Sequence, residues 1–309
     1  MKRMWNMLFK SRLELLEITL LRSLNARMRL SDKDVSNYTR LRKGLEGEQK
    51  SDLWLEGLSE EWLVIHDLLL EYNNSKFQID TLLISHDKIY PLDIKNFEGD
   101  YFVEAEKWYT SAKKDMKNPV HQQDRCVVLL RSLLRDLGYH YPFEPYLIFI
   151  NSEFHLYITT INPSLVFHSQ LNRFLKKLNA RSVKLNKGHY KLAEQLVALH
   201  MVESPYPNLP AYQYEDLKKG ILCPKCYSFF SEIHGSSLVC GNCGCKEEVE
   251  SAVLRSVTEL VLLFPGYKIT TKIVRDWCEI VKSEKTIRRI LGKHYKLHSN
   301  GRSSYYSKS

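Results

Sequence analysis

Phe77-Gln78-Ile79-Asp80 and Tyr90-Pro91-Leu92-Asp93-Ile94-Lys95 are strand-like runs close enough to form one hairpin, and their acids restrict how it can be built. Asp93 and Lys95 are two apart, so on a strand they share a face and Ile94 takes the other. A turn centred on His86-Asp87 sets Ser85 opposite Lys88 and Asp80 opposite Asp93. Facing Cβ atoms in such a pair lie roughly 4.5–5.5 Å apart. Carboxylates that close repel unless a proton or cation lies between them. A slip of one residue would break the pairing, and Pro91 is a place where a bulge could enter. The hairpin thus predicts a divalent-metal site with a lysine beside it. Taken alone, the residues also read as an exposed hairpin with scattered charges, so the surroundings must decide.

The 309 residues are enough for two or three domains, and the formal net charge of +9 favours an anionic partner, nucleic acid being the commonest. No stretch approaches the roughly 20 apolar residues of a membrane span. Residues 1–30 are apolar and basic, but Glu14 and Glu17 interrupt them and no small-residue cleavage site follows, which argues against a secretory signal. Residues 1–35 are expected to be helical, docking on the main domain or lying along nucleic acid, with a peripheral membrane helix as the lesser alternative. Seven cysteines, four of them in Cys-x-x-Cys pairs, are metal-site usage rather than a disulfide framework, and imply a reducing cytoplasm.

Further along, the pattern predicts a helix over 40–55, a strand or buried turn over 62–70, and a strand over 101–108. A helix should start at Asn118-Pro119, with proline at its first position, and run to about 137. The wholly apolar 146–150 suits a strand covered on both faces, and 165–178 reads as a helix. The order implies a mixed α/β core. The Pro-rich stretch beginning at Ser204 reads as a linker. The expected division is a helical segment 1–35, an α/β domain 36–203, a linker 204–219, a ribbon 220–250 and a basic tail 251–309.

Gly44-x-x-Gly47-Glu48, Gln78-Ile79-Asp80, Asp93-Ile94-Lys95-Asn96-Phe97-x-Gly99 and Asn118-Pro119-x-x-Gln122 occur in that order. This series, over roughly 40–150, resembles the NERD family of nuclease-related domains. The resemblance implies a restriction-endonuclease-like fold, a mixed sheet flanked by helices, with the D…(D/E)xK pattern. It implies that Asp80 and Asp93 are metal ligands, Lys95 the catalytic lysine, Glu48 an auxiliary acid and Gln122 a residue of the flanking helix. The family more often has Glu where this chain has Asp93. The chemistry fits independently: hard oxygen ligands select Mg²⁺ or Mn²⁺, which activates water and stabilises phosphoryl charge. There is no GxxxxGK[ST] and no strand-linked GxGxxG, so no nucleotide cofactor is expected.

Cys223-Pro224-Lys225-Cys226 and Cys240-Gly241-Asn242-Cys243 have the spacing of a tetrahedral structural Zn²⁺ site. Cys245 is a competing ligand, but the x-x spacing favours Cys243. Residues 227–230 and 237–239 are the expected ribbon strands. Residues 252–309 carry twelve Lys/Arg against four acids. Helices over 252–264, 270–281 and 283–291, then a hairpin with an Asn-Gly turn, resemble a winged helix-turn-helix. Lys285, Arg288, Arg289 and Lys293 would enter the major groove, with Arg302 on the wing. The expectation is a metal-dependent nuclease acting on DNA, with RNA a possible substrate and a DNA-processing protein a possible partner. The alternatives are a non-catalytic DNA-binding or regulatory protein on the same scaffold, and an adaptor docking to other DNA-processing proteins.

Overall fold

The computed structural model describes residues 8–158, 160–181, 183–201, 208–299 and 304–308. The chain forms two compact units, one of Met1–Glu14 with Arg40–Ser204, the other of Leu15–Thr39 with Pro205–Ser309. Strand β1 (Leu8–Lys10) is followed by helices α1 (Leu16–Arg27) and α2 (Asp32–Leu55). Residues 8–10, expected to be helical, are therefore a strand. They pair parallel to the next one, β2 (Leu63–Tyr72).

The first unit continues with β3 (Ser75–Ile84), β4 (Ile89–Lys95), β5 (Gly99–Glu104), β6 (Lys107–Thr110), β7 (Asp115–Met116) and α3 (Pro119–Asp136). It closes with β8 (Tyr146–Phe149), β9 (Phe154–Tyr157), β10 (Leu165–Phe167), α4 (Leu171–Asn179) and α5 (Lys187–Ala198). The main sheet is mixed, in the order β1-β2-β3-β4-β8-β10. β2, β3 and β4 are antiparallel neighbours, while β4, β8 and β10 run parallel. On one face Val64, Leu83, Leu92, Ile94 and Ile148 pack with Trp54 of α2 and Phe174 of α4. On the other, Leu63, Ile65, Leu82 and Ile84 pack with Leu130 and Leu134 of α3 and Leu192 and Leu196 of α5. Leu147 and Phe149 join Trp108 and Phe154 in a separate cluster, so β8 is covered on both sides as its apolar run requires.

Two expected elements divide differently. The run 101–108 is the β5–β6 hairpin, turned at Ala105 and Glu106, which adopt φ of 47° and 65°. The run expected as a helix from 165 begins as β10, which pairs with β8 before α4 starts.

The second unit holds a three-stranded ribbon of β11 (Glu232–His234), β12 (Ser237–Val239) and β13 (Lys246–Glu248). The expected strand at 227–230 is instead a turn with one bridge, Leu222 to Phe229. Helices α6 (Val249–Leu263), α7 (Thr271–Cys278) and α8 (Glu284–His294) follow, then the antiparallel pair β14 (Lys296–His298) and β15 (Tyr305–Ser307). Ser283 caps α8 by accepting from Thr286 N at 3.3 Å. α1 belongs to this unit. Its Leu20 and Leu24 pack with Leu260, Leu263 and Trp277, and buried Arg27 bonds Glu259 and the carbonyls of Lys218 and Gly220. No helix among the described residues is long and apolar enough to cross a membrane.

Candidate functional site

The β3–β4 hairpin has the register its turn predicts. Ser85 N donates to Lys88 O at 3.0 Å, and the ladder runs from Ile84–Ile89 to Thr81–Leu92 without a shift at Pro91. Asp80 and Asp93 are the next position beyond that ladder. There β4 leaves β3 and pairs through Leu92–Lys95 with β8. The Asp80 carboxylate bridges the opening by accepting from Ile94 N at 2.7 Å. Ile94 is buried in the core, while Asp93 and Lys95 share the opposite face with Lys95 Nζ 2.6 Å from Asp93 Oδ1.

Asp80 also lies at a change of facing. β2 and β3 keep one register on either side of Asp67, from His66–Thr81 to Leu68–Ile79. Yet the residues contributing to the α3-side core change from Leu63 and Ile65 to Leu68 and Leu70 on β2. On β3 they change from Leu82 and Ile84 to Ile79 and Phe77. Both strands therefore reverse their facing where Asp67 and Asp80 stand opposed. Asp67 takes a left-handed φ of 53° to do so, a conformation that costs of order 1–3 kcal/mol. Gln78 Nε2 holds its carboxylate at 2.8 Å, and Lys10 Nζ bonds its carbonyl at 2.7 Å.

Five acids thus share a small volume: Glu48, Asp52, Asp67, Asp80 and Asp93. Burial, then the Asp80 charge, push the Asp93 carboxyl up to about 7. Burial, then Asp80, push Glu48 up to about 8 against the pull of Arg12. Burial works against charge on Lys95, but Asp93 and Asp80 outweigh it and raise the ammonium above its ordinary range.

Arg12 is the residue that sequence reasoning missed. It stands two residues past β1 with its side chain nearly covered, its guanidinium bonded to Glu48 at 2.8 Å, to Asp52 at 3.0 and 3.1 Å, and to the Asp80 carbonyl at 2.8 Å. Its partners are far away in sequence, and a single arginine in an apolar, basic stretch carries no local mark of them.

A cavity of about 770 Å³ opens on Asp80 and Asp93. α3 forms one wall, contributing Gln122, Gln123 and Arg125. Gln122, the predicted helix residue, is exposed. Gln123 is buried, and its Nε2 has no hydrogen-bond partner.

The fit to metals differs between the sites. The Sγ atoms of Cys223, Cys226, Cys240 and Cys243 lie within 4.8 Å of one another, a four-thiolate set of the kind that holds tetrahedral Zn²⁺. Cys245 is outside that set. Among the described residues, Glu48, Asp80 and Asp93 do not gather so tightly, and Glu48 is bonded to Arg12. Their oxygens match a hard cation in donor type, and the raised carboxyls of Glu48 and Asp93 mark charge left unmet there.

In the second unit, Lys285, Arg288 and Arg289 are exposed on α8. Lys293 is not a free cation: its Nζ bonds Glu250 at 2.7 Å. Arg302 and the Asn300-Gly301 turn lie outside the described residues.

Residues 43–150 match the family model described as the nuclease-related domain, NERD. That span contains Glu48, Asp80, Asp93, Lys95 and Gln122. No curated protein and no solved structure matches the chain.

Proposed function

We propose that the chain is a metal-dependent nuclease, its first unit a restriction-endonuclease-like domain and its substrate DNA. The observation that carries this is Lys95 on Asp93, beside Asp80, where β3 and β4 part at the mouth of a cavity. Asp80 and Asp93 would hold Mg²⁺ or Mn²⁺, which supplies an activated water and charge stabilisation at the phosphoryl group. Lys95 is positioned by Asp93 to orient a water or meet developing negative charge. Glu48, fixed by Arg12, is the auxiliary acid that tunes the charge around Asp80. Gln122 faces the entering substrate. Zn²⁺ on the four cysteines is structural. α7, α8 and the β14–β15 pair form a winged-helix-like module, and Lys285, Arg288 and Arg289 contact duplex phosphates.

The wider spacing of Glu48, Asp80 and Asp93 favours a second reading, a nucleic-acid-binding protein that keeps the scaffold without cleavage. Labelled single- and double-stranded DNA incubated with the protein in Mg²⁺, Mn²⁺ or EDTA separates the two. Cleavage that requires metal and disappears in Asp93→Asn supports the nuclease. Tight binding with no cleavage in any metal supports the second reading.

A further inference from the structure

The cavity over Asp80 and Asp93 carries a set of groups that the metal chemistry does not use. Lys76 stands at the start of β3. Lys117, just before α3, and His121 and Arg125, one turn apart on α3, stand on the other wall. All four are exposed, and none makes an ion pair or a side-chain hydrogen bond among the described residues. Lys10, Arg12, Lys43, Lys88 and Lys95 of the same unit, by contrast, have carboxylate or carbonyl partners. The unpaired cations Lys76, Lys117 and Arg125 around two half-buried acids make a rim that attracts anions above a floor that repels them unless a cation intervenes.

Two further features mark the wall as built for acceptors. The first turn of α3 has no acidic residue, so its N-terminal partial positive charge is not compensated there. Behind it the Gln123 amide is 4% exposed, with Nε2 unpartnered. A buried donor left without a partner is costly, and an acceptor entering the cavity would recover that cost.

The size of the cavity decides the form of the ligand. A volume of about 770 Å³ is that of a small-molecule pocket. It has room for a few nucleotides. A duplex, with its second strand, is too bulky to be enclosed in it and would lie across its mouth.

We infer that this cavity is a single-strand site: it takes one strand of nucleic acid, with Lys76, Lys117 and Arg125 on the phosphates flanking the reacting one and Gln123 on a base or sugar acceptor. This rests on the reading of Asp80 and Asp93 as the reacting centre. A duplex would then have to present a gap or a single-stranded tail of several nucleotides to be cut.

Binding in EDTA tests the site without cleavage. The probes are a fluorescent ten-nucleotide single strand and a blunt hairpin duplex, each titrated against the full chain across a salt series. Lys117→Ala/Arg125→Ala should weaken single-strand binding about tenfold. It should reduce the slope of log affinity on log salt by about 1.4, at about 0.7 per lost phosphate contact. Hairpin binding should hardly change. In the wild-type protein the single strand should protect Lys76 and Lys117 from acetylation, a readout that needs no variant. Equal loss for both probes would mean that the cavity takes duplex and would overturn the inference, as would absence of both loss and protection. Selective binding without cleavage in Mn²⁺ would instead leave the single-strand site standing and remove the nuclease.

Discussion

The Nη1 of Arg12 donates to Oε2 of Glu48 at 2.8 Å, while the same guanidinium grips Asp52 with two more bonds. The charge is nearly inaccessible, its side chain 5% exposed. Removing it would strand two partly buried carboxylates. Arg12→Ala should therefore cost about 3 kcal/mol or more, read as a lowered urea midpoint. Arg12→Ala with Glu48→Gln should recover part of it. Wild-type stability in the single variant would show that the cluster does not depend on Arg12.

Asp80→Asn, Asp93→Asn and Lys95→Ala are each expected to lower metal-dependent cleavage by about 10²-fold or more, the scale on which a preorganised charge-stabilising group acts. The fold should persist, since Asp80 and Asp93 line the cavity and none of the three belongs to the apolar core. Single-turnover rates on a cleaved oligonucleotide measure it. An unchanged rate in Lys95→Ala would remove that lysine from the chemistry.

Asp93 and Glu48 make stability depend on pH in a direction opposite to most paired acids. Their folded values, about 7 and about 8, lie above the ordinary carboxyl values. The folded state therefore binds more protons than the unfolded one. The contribution is full below pH 4 and is lost as pH rises through 7 and 8. A divalent cation replaces those protons, so its stabilising effect should grow over the same window. Melting temperatures in EDTA and in Mn²⁺ between pH 5.5 and 9 give the comparison. A gap that stays constant or narrows with pH would contradict the site.

The cysteine set is part of a core. Cys223 and Cys240 are fully buried among Ile221, Leu238, Val253 and Val257. One tightly held Zn²⁺ per chain is expected, and Cys240→Ser should lose both the metal and the packing of the second unit, because structural zinc contributes directly to folding. Metal analysis with near-ultraviolet circular dichroism reads both. A folded second unit without zinc would refute the role.

On α8 the exposed cations should be unequal. Arg288→Ala and Arg289→Ala should each reduce the salt slope for duplex DNA by about 0.9. Lys293→Ala should change it less, since Lys293 is already bonded to Glu250. Equal effects of all three would mean that this ion pair opens on binding.

The hairpin register was legible because it depends on neighbours: a Ser85-to-Lys88 turn and the alternation that follows from it. The α8 start was legible for the same reason, through Ser283. What depended on distant partners was not. Arg12 meets its acids across the sheet. Lys293 looks like a groove-facing cation until Glu250, 43 residues earlier, is placed beside it. The reversal of facing at Asp67 hides because the register stays continuous. Its only trace is apolar residues at both odd and even positions, Ile79 and Leu82, on one strand. The division of 101–108 into two strands turns on Ala105 and Glu106, residue types that do not announce a left-handed turn.

Because α1 packs with Leu260, Leu263 and Trp277, the second unit is discontinuous in the chain. On a ribosome, Leu20 and Leu24 emerge before Arg40–Ser204 of the first unit, and their partners come last. At about 5–20 residues per second the wait is on the order of ten seconds or longer. During that interval an apolar helix face stands uncovered on a nascent chain, a natural substrate for a holdase chaperone. Production of the protein should accordingly be sensitive to chaperone supply, and deleting the C-terminal region would make that transient exposure permanent.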